Sequence, residues 1–183
     1  MKPYVILSVS LLAASMAHAG MQDNPMVGGA PMFAERNIIE NAVNSSNHTT
    51  LVAAVQAAGL VDALQSEGPF TVFAPVNAAF DALPDGTVET LLMPENREML
   101  QRILTSHVIA GNLSGTELMR RARASRDGFF HMETLSGAPL SAQIRGRSLW
   151  IHDQSGNAAR VTIDDVNQSN GVIHVVNRVL LPR

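Results

Sequence analysis

Two apolar, β-branched runs dominate the patterning of this chain. Thr71–Phe80 reads TVFAPVNAAF and Asn170–Pro182 reads NGVIHVVNRVLLP. Both are too apolar to lie on a solvated face, so Phe70–Ala74 and Val172–Leu181 are expected to pair as core strands, with Pro75 ending the first. Upstream the period is helical. Ile38, Ile39, Ala42 and Val43 share a face, and so do Leu51, Val52, Val55 and Ala58 up to Gly59. Leu60, Val61 and Leu64 add a turn before the Gly68-Pro69 break. Further helices are predicted around Ala78–Leu83, over Val88–Leu92, after Pro94 with Met99, Leu100, Ile103 and Leu104 on one face, and over Thr116–Ala124.

After Gly128 the period shortens to two. Phe129–Leu135, Leu140–Arg145, Ser148–His152 and Ala159–Ile163 read as strands, separated by Ser136-Gly137, Gly146-Arg147 and Ser155-Gly156-Asn157 turns. Helices first and closely spaced strands later predict an α+β fold with antiparallel hairpins. Cap candidates are Asn47, Thr49 and Thr50 before the second helix and Asn77 before the helix that follows Pro75.

The first residues stand apart. Lys2, the short apolar run Val5–Ala14 and Ala17-His18-Ala19 fit a signal peptide, with cleavage expected after Ala19. No later segment is long and apolar enough for a transmembrane helix. Residues 20–33, rich in Gly, Pro, Asn and Met, read as a flexible leader, and residues 34–183 as one domain. A secreted or periplasmic protein follows, without stable membrane insertion.

Composition narrows the function. Charged residues make up 16% and hydrophobic ones 46%, which suits a packed core. Lys2 is the sole lysine and leaves with the signal, so the formal charge of −3 becomes −4. That balance argues against nucleic acid and against a general affinity for anionic membranes. Arg120, Arg121, Arg123 and Arg126 form the one basic cluster, and at helical spacing they wrap around a solvated face. The absence of cysteine excludes thiol catalysis and thiolate metal sites.

TVFAPVNAAFDALP resembles the first signature of the fasciclin (FAS1) domain, and SNGVIHVVNRVLLP resembles its second. SHVIAG at Ser106–Gly111 stands where that family carries a Tyr-His motif, and TLVAAVQAAGLVDALQSEGPF is similar to its leading helices. The resemblance runs over Phe33–Pro182. It implies an antiparallel β-sandwich or wedge with helices packed along one edge. It also implies a non-enzymatic adhesion role, with contacts near the Tyr-His motif and therefore at Ser106, His107, Val108 and Ile109. Three positions depart from the pattern: Ser106 replaces the tyrosine, Val76 a polar residue, and Asn177 an aspartate.

The motif residues Thr71, Pro75, Asn77, Phe80, Asn170, Gly171 and His174 are expected to be structural. Thr71 and Asn77 can satisfy orphan backbone donors. His107, at a helix-to-strand junction, can bridge groups through both ring nitrogens. His174 is either a satisfied core histidine or, by strand alternation, an outward-facing one. Known catalytic strings are missing: there is no G-x-S-x-G elbow, phosphate loop or dinucleotide fingerprint. No H-x-H or H-E-x-x-H pair occurs, and Asp164 and Asp165 are expected on opposite strand faces. No catalytic residue, metal or cofactor is implied. Asn44, Asn47, Asn112 and Asn167 begin N-x-S/T sequons, read as unmodified turn residues.

Two functions are therefore carried forward. One is an exported adhesion module, a monomer, whose partner is a cell-surface or matrix protein or a polysaccharide. The other is a periplasmic or secreted binder of a small apolar ligand, suggested by the apolar helices and by Met21, Met26 and Met32, expected to be exposed in the leader. A hydrolase is a third reading and needs a pocket with clustered polar groups.

Overall fold

A computed structural model describes residues 24–182. The expected signal peptide, the expected cleavage after Ala19, and Met21 lie outside the described residues. Seven strands form one sheet. They are β3 (Phe70–Pro75), β4 (Val108–Ala110), β5 (Phe129–Glu133), β6 (Pro139–Arg145), β7 (Ser148–His152), β8 (Ala158–Gln168) and β9 (Gly171–Val176), in the order β4-β3-β9-β8-β7-β6-β5. The α+β class and the predicted pairing of the two apolar runs hold. The sheet is mixed, however, because β3 and β9 run parallel, with Phe70 opposite Gly171 and Pro75 opposite Val176. The other pairs are antiparallel, and β5 to β9 follow one another as hairpins.

Strand β8 is longer than predicted and carries register shifts between Val161 and Ile163 and between Ile163 and Val166. Bulges of this kind bend a strand and increase its twist. Its first residues pair with β7 and the rest with β9. The sheet thereby curls on itself. Phe73 on β3 shares a hydrophobic cluster with Leu140 on β6 and Ile151 on β7, several strands away along the sheet. The bulge also corrects the expectation for the acidic pair. Asp165 takes a positive φ of 54° and its Oδ1 accepts a hydrogen bond from Gly115 N at 2.7 Å. Asp164 Oδ2 would lie 2.6 Å from a Cβ added to the same glycine. Both carboxylates thus reach Gly115, because the bulge interrupts the alternation that would have separated them.

The helices are α1 (Ile38–Ala42), α2 (Thr49–Ala58), α3 (Val61–Gln65), α4 (Asn77–Asp81), α5 (Thr87–Leu92), α6 (Arg97–Thr105) and α7 (Gly115–Ala124). Val72, Ala74, Ile173 and Val175 face a layer built from Ile38, Val55, Leu100 and Leu104 of α1, α2 and α6. Alternate residues, Phe73 and Val176, face the curled strands and Leu118 of α7. Every residue of β9 is buried. That explains why it is apolar except for His174, since a strand covered on both faces has no solvated side to reserve for polar residues.

Residues 26–32 correct the expectation of a flexible leader. β1 (Met26–Val27) and β2 (Ala30–Pro31) pair around Gly28 and Gly29, both at positive φ as a two-residue hairpin turn requires. Val27 and Met32 are buried in the helical core, so of the described leader methionines only Met26 is exposed. Composition suggested a linker, yet two apolar side chains are enough to seat the segment.

Candidate functional site

The Ser106–Ile109 segment lies between α6 and β4. Its four side chains have exposures of 1, 3, 4 and 5%, so none is presented at the surface as a contact made by these residues would require. Burial follows from local wiring. Helix α6 ends with unsatisfied carbonyls. The Ile103 carbonyl accepts from Ser106 Oγ at 2.5 Å and from His107 Nδ1 at 2.8 Å. The other ring nitrogen of His107, Nε2, accepts from Leu180 N at 2.9 Å. With one nitrogen donating and the other accepting, the ring is a neutral imidazole. Burial pushes its pKa down to about 4, against weaker opposition from the Ile103 carbonyl and the Asp153 charge.

The other motif residues converge on the same stretch of backbone. Thr71, fully buried on β3, donates from Oγ1 to Gly111 O at 2.7 Å and accepts from Leu113 N at 2.9 Å. It serves a loop where the sequence suggested a helix start. His174 is fully buried and not outward-facing. It donates from Nε2 to Leu113 O at 2.8 Å and stacks on Phe73 at 5.7 Å between ring centroids. Burial lowers its pKa as well, chiefly opposed by the Leu113 carbonyl. The three sequence motifs are therefore tied to one another: Thr71 and His174 hold the loop that follows the SHVIAG segment, and His107 within that segment holds the end of the second signature.

Asn77 acts at a distance from its own helix. The N-cap of α4 is Val76, and Asn77 Oδ1 instead accepts from Thr50 N at 3.1 Å and from Thr49 Oγ1 at 3.2 Å. It thus caps α2, whose own N-cap residue, His48, makes no side-chain cap bond. Asn170 bridges three elements. Its Oδ1 accepts from Ile38 N at 3.0 Å, and its Nδ2 donates to Leu64 O and Ser66 O. Pro75 ends β3 in the core, and Phe80 packs with Ala79 and Val179 in a small separate cluster. A Cβ at Gly171 would stand 2.1 Å from Phe70 O, so only glycine allows β9 to approach β3 here.

A cavity of about 290 Å³ lies between the helical layer and the β3/β9 face. Its walls are aliphatic, with His48 and His107 among the few polar residues and no charged side chain. His48 Nδ1 is engaged by Ser45 Oγ at 2.8 Å, and its Nε2 is buried without a hydrogen-bond partner. Burial lowers its pKa, and the Ala74 carbonyl opposes that shift without reaching hydrogen-bonding geometry. The sequence marked neither His48 nor the cavity. The walls come from helices and strands spread over most of the domain, and no linear pattern joins them. The lining includes the hydrogen-bonded pair Ser45 and His48 but no Asp or Glu. Among the described residues no group of three or more His, Asp or Glu is placed to hold a metal ion.

The sequence model of the fasciclin domain matches residues 46–182. This chain belongs to the fasciclin domain family. It is 42% identical over 161 residues to Protein sll1483 of Synechocystis sp., covering 88% of this chain and 82% of that protein. It is 31% identical over 180 residues to the cell surface glycolipoprotein MPB83 of Mycobacterium bovis, covering 96% and 74%. The fasciclin fold is equally clear in three dimensions. A solved FAS1 domain pair from the insect cell adhesion molecule Fasciclin I aligns with a TM-score of 0.71 at 18% identity, over 80% of this chain and 51% of that one. This fasciclin chain therefore spans about half of that solved pair. The matched residues 46–182 take in helices α2 to α7 and the whole seven-stranded sheet.

Proposed function

We propose that this protein is an exported, non-enzymatic adhesion module that attaches, as a monomer, to a protein or polysaccharide on a cell surface or in a matrix. Membership of the fasciclin family carries the reading. The aligned fold belongs to an insect cell adhesion molecule, and one relative is a cell surface glycolipoprotein. The signal-like residues 1–19 agree with export.

Contacts come from exposed positions beside the buried motif. Ala110 and Asn112 flank the loop that Thr71 and His174 hold, and both are exposed. The motif residues act on adhesion indirectly, by keeping that loop in one shape. The test is retention of protein-coated beads on host cells, purified matrix proteins and glycan arrays. Saturable retention that Ala110→Arg or Asn112→Arg weakens, with melting temperature unchanged, is the expected result. Beads that fail to bind any of these surfaces overturn the proposal.

A further inference from the structure

The cavity between the helical layer and the β3/β9 face is lined mainly by apolar side chains, and the proposed adhesion makes no use of it. Val55 of α2, Leu64 of α3, Val72 of β3, Leu104 of α6 and Ile173 of β9 contribute to its walls. Four other lining residues, Gln56, Ala63, Ser66 and Leu135, are solvent-exposed and mark where the space meets the surface. Water inside such apolar walls finds few hydrogen-bond partners.

We propose that this cavity is a binding site for one uncharged, largely apolar small molecule. At about 30 Å³ for each heavy atom, the 290 Å³ volume holds a ligand of roughly ten heavy atoms. The ligand is uncharged because the walls offer no counter-charge, and an unpaired buried charge is prohibitively costly. It carries at most one or two polar atoms. His48, whose Nε2 lacks a partner, and Thr105 are among the few polar side chains in the wall. A single hydroxyl or carbonyl therefore suits the site better than a wholly hydrocarbon ligand.

The test is calorimetric titration of the purified protein with straight-chain 1-alkanols from hexanol to tetradecanol. Affinity is expected to rise about fourfold for each added methylene, reach a maximum near ten heavy atoms, and fall once the chain outgrows the space. Decanoate at pH 7 is expected to bind about tenfold or more weakly than decanol. Val55→Phe fills the cavity from α2 and abolishes binding. Ala63→Phe, at an exposed helical position, obstructs the mouth and weakens binding even if Val55→Phe does not fold. Val43→Ser, exposed and outside the lining, leaves it unchanged. No saturable binding of any alkanol overturns the proposal, as does binding that rises through tetradecanol and ignores Ala63→Phe. Bead retention reads a different surface, so either proposal can fail alone.

Discussion

His107 joins the end of α6 to the end of the chain through two hydrogen bonds, one from each ring nitrogen. Removing the ring leaves the Leu180 amide without its acceptor in a buried setting. His107→Ala is therefore expected to lower stability by roughly 1–3 kcal/mol, read as a shift in the chemical-denaturation midpoint. An unchanged midpoint would mean that water replaces the ring without loss. The bridging capacity of His107 was legible from its residue type and its place at a junction. Its burial, and that of Ser106 beside it, was not. A serine reads as polar wherever it stands, and only packing makes Ser106 a donor to the Ile103 carbonyl at 1% exposure. Thr71 and His174 were legible as groups that satisfy backbone, but the loop they satisfy lies about forty and sixty residues away along the chain.

Among the elements, Asn170 and Gly171 set how the helical layer meets β9. Asn170 supplies an acceptor for the first amide of α1 and donors for carbonyls at the end of α3. Asn170→Ala strips all three bonds from buried or half-buried backbone and should cost about 3 kcal/mol. Thermal unfolding checks this, and a loss below about 0.5 kcal/mol would contradict it. Gly171→Ala places a methyl carbon against the Phe70 carbonyl, which is backbone and cannot turn aside. Slower amide exchange normally marks a paired central strand. In Gly171→Ala the β3 and β9 amides should exchange faster than in the wild-type protein, and equal rates would show that the strands accommodate the methyl. The strands themselves were readable from their period and turn residues. The parallel direction of β3 and β9 was not, because an apolar run buried on both faces looks the same in either direction. Nor was the cap on α2, because Asn77 lies nearest in sequence to α4.

For the whole molecule, buried histidines make stability depend on pH. The pKa of His107 is held at about 4, whereas in the unfolded chain it returns to its ordinary value near 6.5. Between these values the unfolded chain binds more protons, so stability is complete above about pH 6.5 and declines as pH falls toward 4, by up to about 3 kcal/mol. His48 and His174, also lowered by burial, act in the same direction. Urea midpoints are expected to fall between pH 7 and 4.5, and His107→Ala should show a shallower fall. A flat wild-type profile would contradict the neutral, buried state of these rings. Much of the molecule followed from the chain alone. Period and turn chemistry determined the α+β class and most elements, because they depend on neighbours a few residues apart, and the two long motifs pointed to the fasciclin family. Tertiary structure alone decided which polar residues are buried, that Val27 and Met32 join the core, and that an apolar cavity stands between the layers. Those features depend on residues brought together from distant parts of the chain, where linear spacing carries no record of the space left between them.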